Sequence, residues 1–144
     1  MQVQQILKDK SDDGVVTVTP GSSVGEAAQV LAERRIGGVV ISDDGQRPLG
    51  ILSERDIVRA LAAQGASALS LTCEDLMTRK LQVCTRDEDT NVVLARMTEG
   101  RFRHMPVVEE GMLVGIISIG DVVKAQIAEL AMEKDALQGM IMGF

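Results

Sequence analysis

Two hydrophobic spacings alternate along the chain. Short β-branched or apolar runs at Val15–Val18 and Leu81–Cys84 predict strands. Each is followed by a helical pattern. Ser23-Val24-Gly25-Glu26 has the form of a capping box, with Ser23 as N-cap and Glu26 reaching back. Val24, Ala27, Ala28 and Leu31 then recur on one helical face. In the second half Asp89 takes the cap, and Thr90, Val93, Leu94 and Met97 take the face. Strands follow at Gly38–Ser42 and Met105–Val108, then turns at Asp43-Asp44-Gly45 and Glu109-Glu110-Gly111. Second strands, Leu49–Ser53 and Val114–Ser118, close hairpins. Final helices begin near Glu54 and Ile119.

The pattern is therefore written twice. Gly50-Ile51-Leu52-Ser53-Glu54-Arg55-Asp56-Ile57-Val58-Arg59-Ala60 returns as Gly115-Ile116-Ile117-Ser118-Ile119-Gly120-Asp121-Val122-Val123-Lys124-Ala125, an offset of 65 (Gly50 to Gly115). Upstream the offset is 66 (Thr19 to Thr85), with Ala28 matching Leu94, Leu31 matching Met97 and Ile36 matching Phe102. The expected architecture is an α/β (α+β) fold of two βαββα repeats, 1–66 and 67–130, with a helical tail over 131–144. One such unit cannot cover both faces of its sheet, so the two should pack on each other. The linker Gln64–Leu71 is rich in Ala, Ser and Gly, and Thr72–Met77 opens the second unit with a helical turn that echoes Val3–Leu7.

Composition narrows the function. A net charge of −6 disfavours general nucleic-acid binding, and with only Phe102 and Phe144 there are no aromatic platforms for single strands. No apolar run approaches the ~20 residues that span a bilayer. Gln2, Gln4, Gln5 and Lys8 break any signal-peptide core, so the expected location is cytoplasmic. Cys73 and Cys84 have no metal-ligand spacing to His104, the single histidine, and read as structural thiols. No nucleophile–base pair, metal cage, G-x-x-x-x-G-K-[ST] loop or G-x-G-x-x-G motif is present. A binding module is expected rather than an enzyme; turnover of a bound ligand, lost in His104→Ala, would argue for an enzyme.

Twice-written G-[IL]-[IL]-S-x-x-D-[IV]-V-[RK]-A, after a capped helix and a hairpin, resembles a tandem pair of cystathionine-β-synthase (CBS) domains, a Bateman module. Leu52–Arg59 and Phe102–Val108 are especially similar to stand-alone bacterial members, and the likeness spans about residues 3–127. The resemblance implies two repeats about a pseudo-twofold axis with nucleotide sites in the clefts between them. Implied ligands are AMP, ADP, ATP, NAD(H) or S-adenosylmethionine, and implied assembly is a flat homodimer.

Each candidate site residue has two readings. Asp56 and Asp121 either compensate a helix dipole or, as the resemblance implies, grip a ribose diol. Ser53 and Ser118 are N-caps, and the helix N-termini they cap also suit a phosphate. Arg103 and His104 are solvated surface groups or phosphate ligands; the resemblance implies the second. Their counterparts in the first copy are Gly37 and Gly38, and Arg55 is matched by Gly120, so the two clefts should differ. Thr19 and Thr85 form turns or, by resemblance, contact ligand. Ile127, Leu130, Leu137 and Ile141 form a seam that either packs back on its own domain or joins a homodimer, and Gly139–Phe144 is expected to fray. With the repeats filling nearly the whole chain, whatever reads the nucleotide state is expected to be another protein or the chain's own dimer surface. A protein that kept the fold and lost its ligand is the alternative.

Overall fold

The structure, a computed structural model, describes residues 1–10 and 15–142. In chain order it runs α1 (Val3–Asp9), β1 (Thr17–Val18), α2 (Val24–Arg34), β2 (Gly38–Ile41), β3 (Gly50–Ser53), α3 (Glu54–Gln64), a 3₁₀ stretch (Gly65–Ser70), α4 (Cys73–Leu76), α5 (Thr90–Gly100), β4 (His104–Glu109), β5 (Met112–Ser118) and α6 (Ile119–Ile141). The twice-written αβ pattern thus folds as two copies of one unit.

In the first repeat β1 pairs parallel with β2, and β2 antiparallel with β3. The hairpin loop is built on Asp44, whose Oδ1 accepts from the amides of Gln46 and Arg47, while Gly45 turns the chain at φ +75°. In the second repeat Glu110 (φ 52°) and Gly111 (φ 78°) make a two-residue turn, both in the left-handed region that such turns require.

The expected strand at Leu81–Cys84 does not form; only Cys84 bridges to Val107. Pro106 is the reason. Cys84 N–H reaches the Pro106 carbonyl (3.1 Å) and Val108 N–H reaches the Cys84 carbonyl (2.9 Å). The next rung of a parallel ladder would need an N–H from residue 106, which proline lacks. Val40 holds the equivalent place in the first repeat and does donate, yet β1 is still shorter than its expected span, Val15–Val18. The Val83 carbonyl instead accepts from the Arg96 guanidinium (2.8 Å).

Each repeat lends its opening helix to the other's core. Val3 and Ile6 of α1 pack with Cys84, Val93, Met97, Met105, Val107, Ile117 and Val122 of the second repeat. Cys73 and Met77, at α4, pack with Val24, Leu31, Val39, Leu52 and Ile57 of the first. The backbone repeats the exchange: Val3 N–H bonds the Glu88 carbonyl (3.0 Å) and Cys73 N–H bonds the Ser22 carbonyl (2.8 Å). This makes Gly50 and Gly115 necessary. A Cβ on Gly50 would lie 2.5 Å from Met77 Sδ, and one on Gly115 2.6 Å from Leu7 Cδ2. Because each exchanged side chain contributes about 1.5–3 kcal/mol of burial, the repeats are fixed against each other rather than loosely tethered. Both cysteines are free and buried, and burial pushes the Cys84 thiol up to about 12.

α6 is one continuous helix of 23 residues, so the tail expected over 131–144 is an extension of the second repeat's closing helix. Its first turns bury Val122 and Ala125. Further on, Ile127 and Leu130 are 63% exposed and Ile141 85%, so the seam does not pack back on its own domain. The helix continues through Gly139–Ile141; Gly143 and Phe144 lie outside the described residues. Among the described residues no helix is long and apolar enough to cross a membrane.

Candidate functional site

The second hairpin strand of each repeat feeds straight into its closing helix, and the junction is a reciprocal cap. Ser53 Oγ accepts from Asp56 N–H (3.3 Å), and Asp56 Oδ2 accepts from Ser53 N–H (2.9 Å) and Ser53 Oγ (3.0 Å). Ser118 and Asp121 do the same at 3.1 and 2.8 Å. The capping reading of all four residues therefore holds. It also fixes where each carboxylate points, at the mouth of a helix where an anion is favoured.

The surroundings then diverge. Asp56 lines a cleft between the repeats, about 730 Å³ out to its mouth. Ser53, Glu54, Arg55, Asp56 and Arg59 come from the first repeat, Arg101, Phe102, Arg103 and His104 from the second, and Thr78 from the segment after α4. Asp121 faces a different groove, between α1 and α6, lined by Met1, Ile6, Asp9, Lys10, Lys124, Ala125 and Ala128. There the Lys10 ammonium donates to Asp121 Oδ2 (2.9 Å) and to the Ile116 carbonyl (2.9 Å). Burial alone would raise the Asp121 pKa, but the Lys10 bond and charge and the Ser118 amide together hold it below the usual carboxylate value.

His104 explains how Arg103 enters the Asp56 cleft. It starts β4 opposite Ser118 and lies against the bare backbone of the first repeat. A Cβ on Gly38 would sit 2.9 Å from His104 Cγ and Nδ1, and one on Gly37 3.3 Å from Cε1 and Nε2. The two glycines that face Arg103 and His104 in the repeat alignment are what let the imidazole cross to the other repeat. Burial first, then the charges of Lys10 and Arg103, hold the His104 pKa below 6.5, against the opposing pull of Glu54 and Asp121.

Of the residues singled out from sequence, Asp56, Ser53, Arg55, Arg103 and His104 converge on one cleft. Ser118 and Asp121 are brought to Lys10 instead. Thr19 Oγ1 bonds Ser22 Oγ (2.7 Å), and Thr85 N–H bonds Glu88 Oε2 (2.7 Å); both close the turns before α2 and α5, and neither lines the Asp56 cleft. Sequence reasoning missed Glu54, Arg59, Arg101 and Thr78. Arg59 carried a usable signal, since it lies one turn beyond Arg55 on the same face of α3. Thr78 had none, because its place depends on Ile51 pairing with it (Ile51 N–H to the Thr78 carbonyl, 3.0 Å). Among the described residues no group of acidic, cysteine or histidine side chains could hold a metal.

The CBS domain profile matches the chain twice, at residues 6–63 and 73–128. The CBS-domain containing protein ATU1752 from Agrobacterium tumefaciens is 48% identical, with a TM-score of 0.82 over 88% of this chain and 99% of that one. The CBS domain pair of protein MJ0100, solved in complex with 5′-methylthioadenosine and S-adenosyl-L-methionine, is 28% identical, with a TM-score of 0.78 over 90% of this chain and 98% of that one. CBS domain protein PAE2072 from Pyrobaculum aerophilum, complexed with AMP, is 27% identical, with a TM-score of 0.76 over 92% and 99%. A motif written twice, two units that exchange their opening helices and a cleft lined from both lead to one conclusion: the chain belongs to the CBS domain family, as a tandem pair.

Proposed function

We propose that this chain is a regulatory sensor that binds an adenosine nucleotide, AMP, ADP, ATP or NAD(H), in the cleft at Asp56, and that occupancy changes its affinity for a partner protein. One observation carries the reading. A carboxylate from one repeat and a guanidinium and imidazole from the other face the same cleft. Asp56 accepts the two hydroxyls of a ribose, and Arg103 and His104 meet the phosphate beside the N-terminus of α3. The adenosine ligands of PAE2072 and MJ0100 support the same ligand class. Because the repeats are held together by exchanged helices, a ligand touching both acts on their relative position, and the exposed apolar stripe of α6 is a surface that could report it, by homodimerisation or to a separate protein. No chemical step is assigned to the site; the module acts by binding, in the cytoplasm.

A thermal-shift screen with AMP, ADP, ATP, NAD, NADH and S-adenosylmethionine tests this, since a ligand stabilises by RT ln(1 + [L]/Kd). The expected result is a rise in Tm with at least one adenine nucleotide that disappears in Asp56→Asn. No shift with any of them at millimolar concentration would leave the alternative, an interaction protein that acts through the α6 stripe alone.

A further inference from the structure

Four arginines line the Asp56 cleft: Arg55, Arg59, Arg101 and Arg103. The chain as a whole carries −6, so this is a local reversal of its charge. Among the described residues, none of the four guanidinium groups takes part in an ion pair; the pairs that form use Met1, Lys10, Arg79, Arg86 and Arg96. The cleft also holds Glu54 and Asp56, and Asp56 already spends one oxygen on the cap of α3. Positive charge is left in excess. Like charges gathered on one surface repel unless an anion is placed among them.

The arrangement also has length. Arg55 and Arg59 are four residues apart on α3, so they stand on one face and about 6 Å apart along its axis at 1.5 Å per residue. Arg101 and Arg103 approach from the opposite repeat. A single phosphate is satisfied by one forked donor and a helix N-terminus. The remaining guanidinium groups, spread along a helical turn, match a chain of phosphates.

We propose that the cleft selects adenosine polyphosphates, ADP and ATP, over AMP and over NAD(H), with Arg55, Arg59 and Arg101 as the residues that set this preference. The inference rests on the reading of the Asp56 cleft as a nucleotide site. AMP lacks the outer phosphates. The pyrophosphate of NAD(H) is esterified at both ends, so it carries no terminal phosphate and less charge than that of ADP.

Isothermal titration of the full chain with AMP, ADP, ATP, NADH and inorganic pyrophosphate tests it, alongside Arg59→Gln and Arg101→Gln. Both substitutions are at exposed positions, and their Tm is measured first. The expected result is ATP and ADP binding about tenfold or more tightly than AMP and NADH. Either variant should then lower the ratio of ATP to AMP affinity severalfold, and added salt should weaken ATP more than AMP. Equal affinity for AMP and ATP, NADH binding as tightly as ADP, or variants that weaken AMP and ATP by the same factor would overturn the preference and leave the nucleotide site standing. Pyrophosphate binding as tightly as ADP would overturn the adenosine half of the proposal. No binding of any nucleotide, or binding unchanged in Asp56→Asn, would overturn the site and the preference with it.

Discussion

Asp56 and Asp121 share the S-x-x-D motif and the same cap, yet they face different partners. Asp56 looks across a cleft at Arg103 and His104 of the other repeat. Asp121 is held by Lys10 of its own chain, in a half-exposed pair 2.9 Å long. The duplication supplied two equivalent carboxylates, and two glycines and one lysine made them unequal. Gly37 and Gly38 give the first repeat no phosphate-binding side chains, while admitting the His104 ring of the second. Lys10 supplies an internal cation at the other carboxylate. The comparison teaches that in a duplicated fold the motif fixes geometry, and the residues outside it fix what each copy's carboxylate faces.

The largest expected effect comes from exchanging the two acids in turn. Two hydrogen bonds to a carboxylate at about 1.5 kcal/mol or more each predict that Asp56→Asn weakens nucleotide binding by about 100-fold, while Asp121→Asn leaves it within about twofold. Titration calorimetry measures both, and Tm reports any loss of the helix cap. Equal losses would make the two clefts equivalent and break the comparison.

Arg103→Ala is expected to cost about tenfold in the same titration, since one charge-assisted contact goes and the imidazole of His104 remains. Lys10→Met sharpens the comparison from the other side. A half-exposed ion pair is worth under about 1 kcal/mol, so Tm should hardly move, but the stoichiometry should rise from one nucleotide per chain towards two. A second site in the wild type would show that Lys10 does not guard Asp121.

The smallest effect is in pH. The folded pKa of His104 lies below 6.5, so as pH falls through 6.5 the unfolded chain takes up a proton that the folded chain resists. The free protein therefore loses stability on that side, and His104→Gln flattens the loss. A phosphate beside the ring favours the charged form, so nucleotide binding takes up protons and tightens severalfold as pH is lowered from about 8 to about 6. Weaker binding at low pH would place the phosphate elsewhere.

Periodicity and capping made most of the fold legible. Ser23, Ser53, Asp89 and Ser118 each cap the helix expected of them. The strand at Leu81–Cys84 was not legible, because Pro106 acts from a partner strand whose register is set only on folding. The exchange of α1 and α4 was equally hidden, since Val3 and Cys73 read as local helix starts and nothing in their spacing names the core they enter. At the site, the convergence of Ser53, Arg55, Asp56, Arg103 and His104 on one cleft was legible and Lys10 was not: it lies 111 residues from Asp121, and only the docking of α1 brings it there.

A crystal structure of the wild-type chain grown with ATP tests the central claim most directly. The account predicts the ribose hydroxyls on Asp56, the phosphates among Arg55, Arg59, Arg101 and Arg103, and Lys10 still bonded to Asp121. A nucleotide seated at Asp121 with Lys10 displaced, and Asp56 doing no more than capping α3, would contradict it.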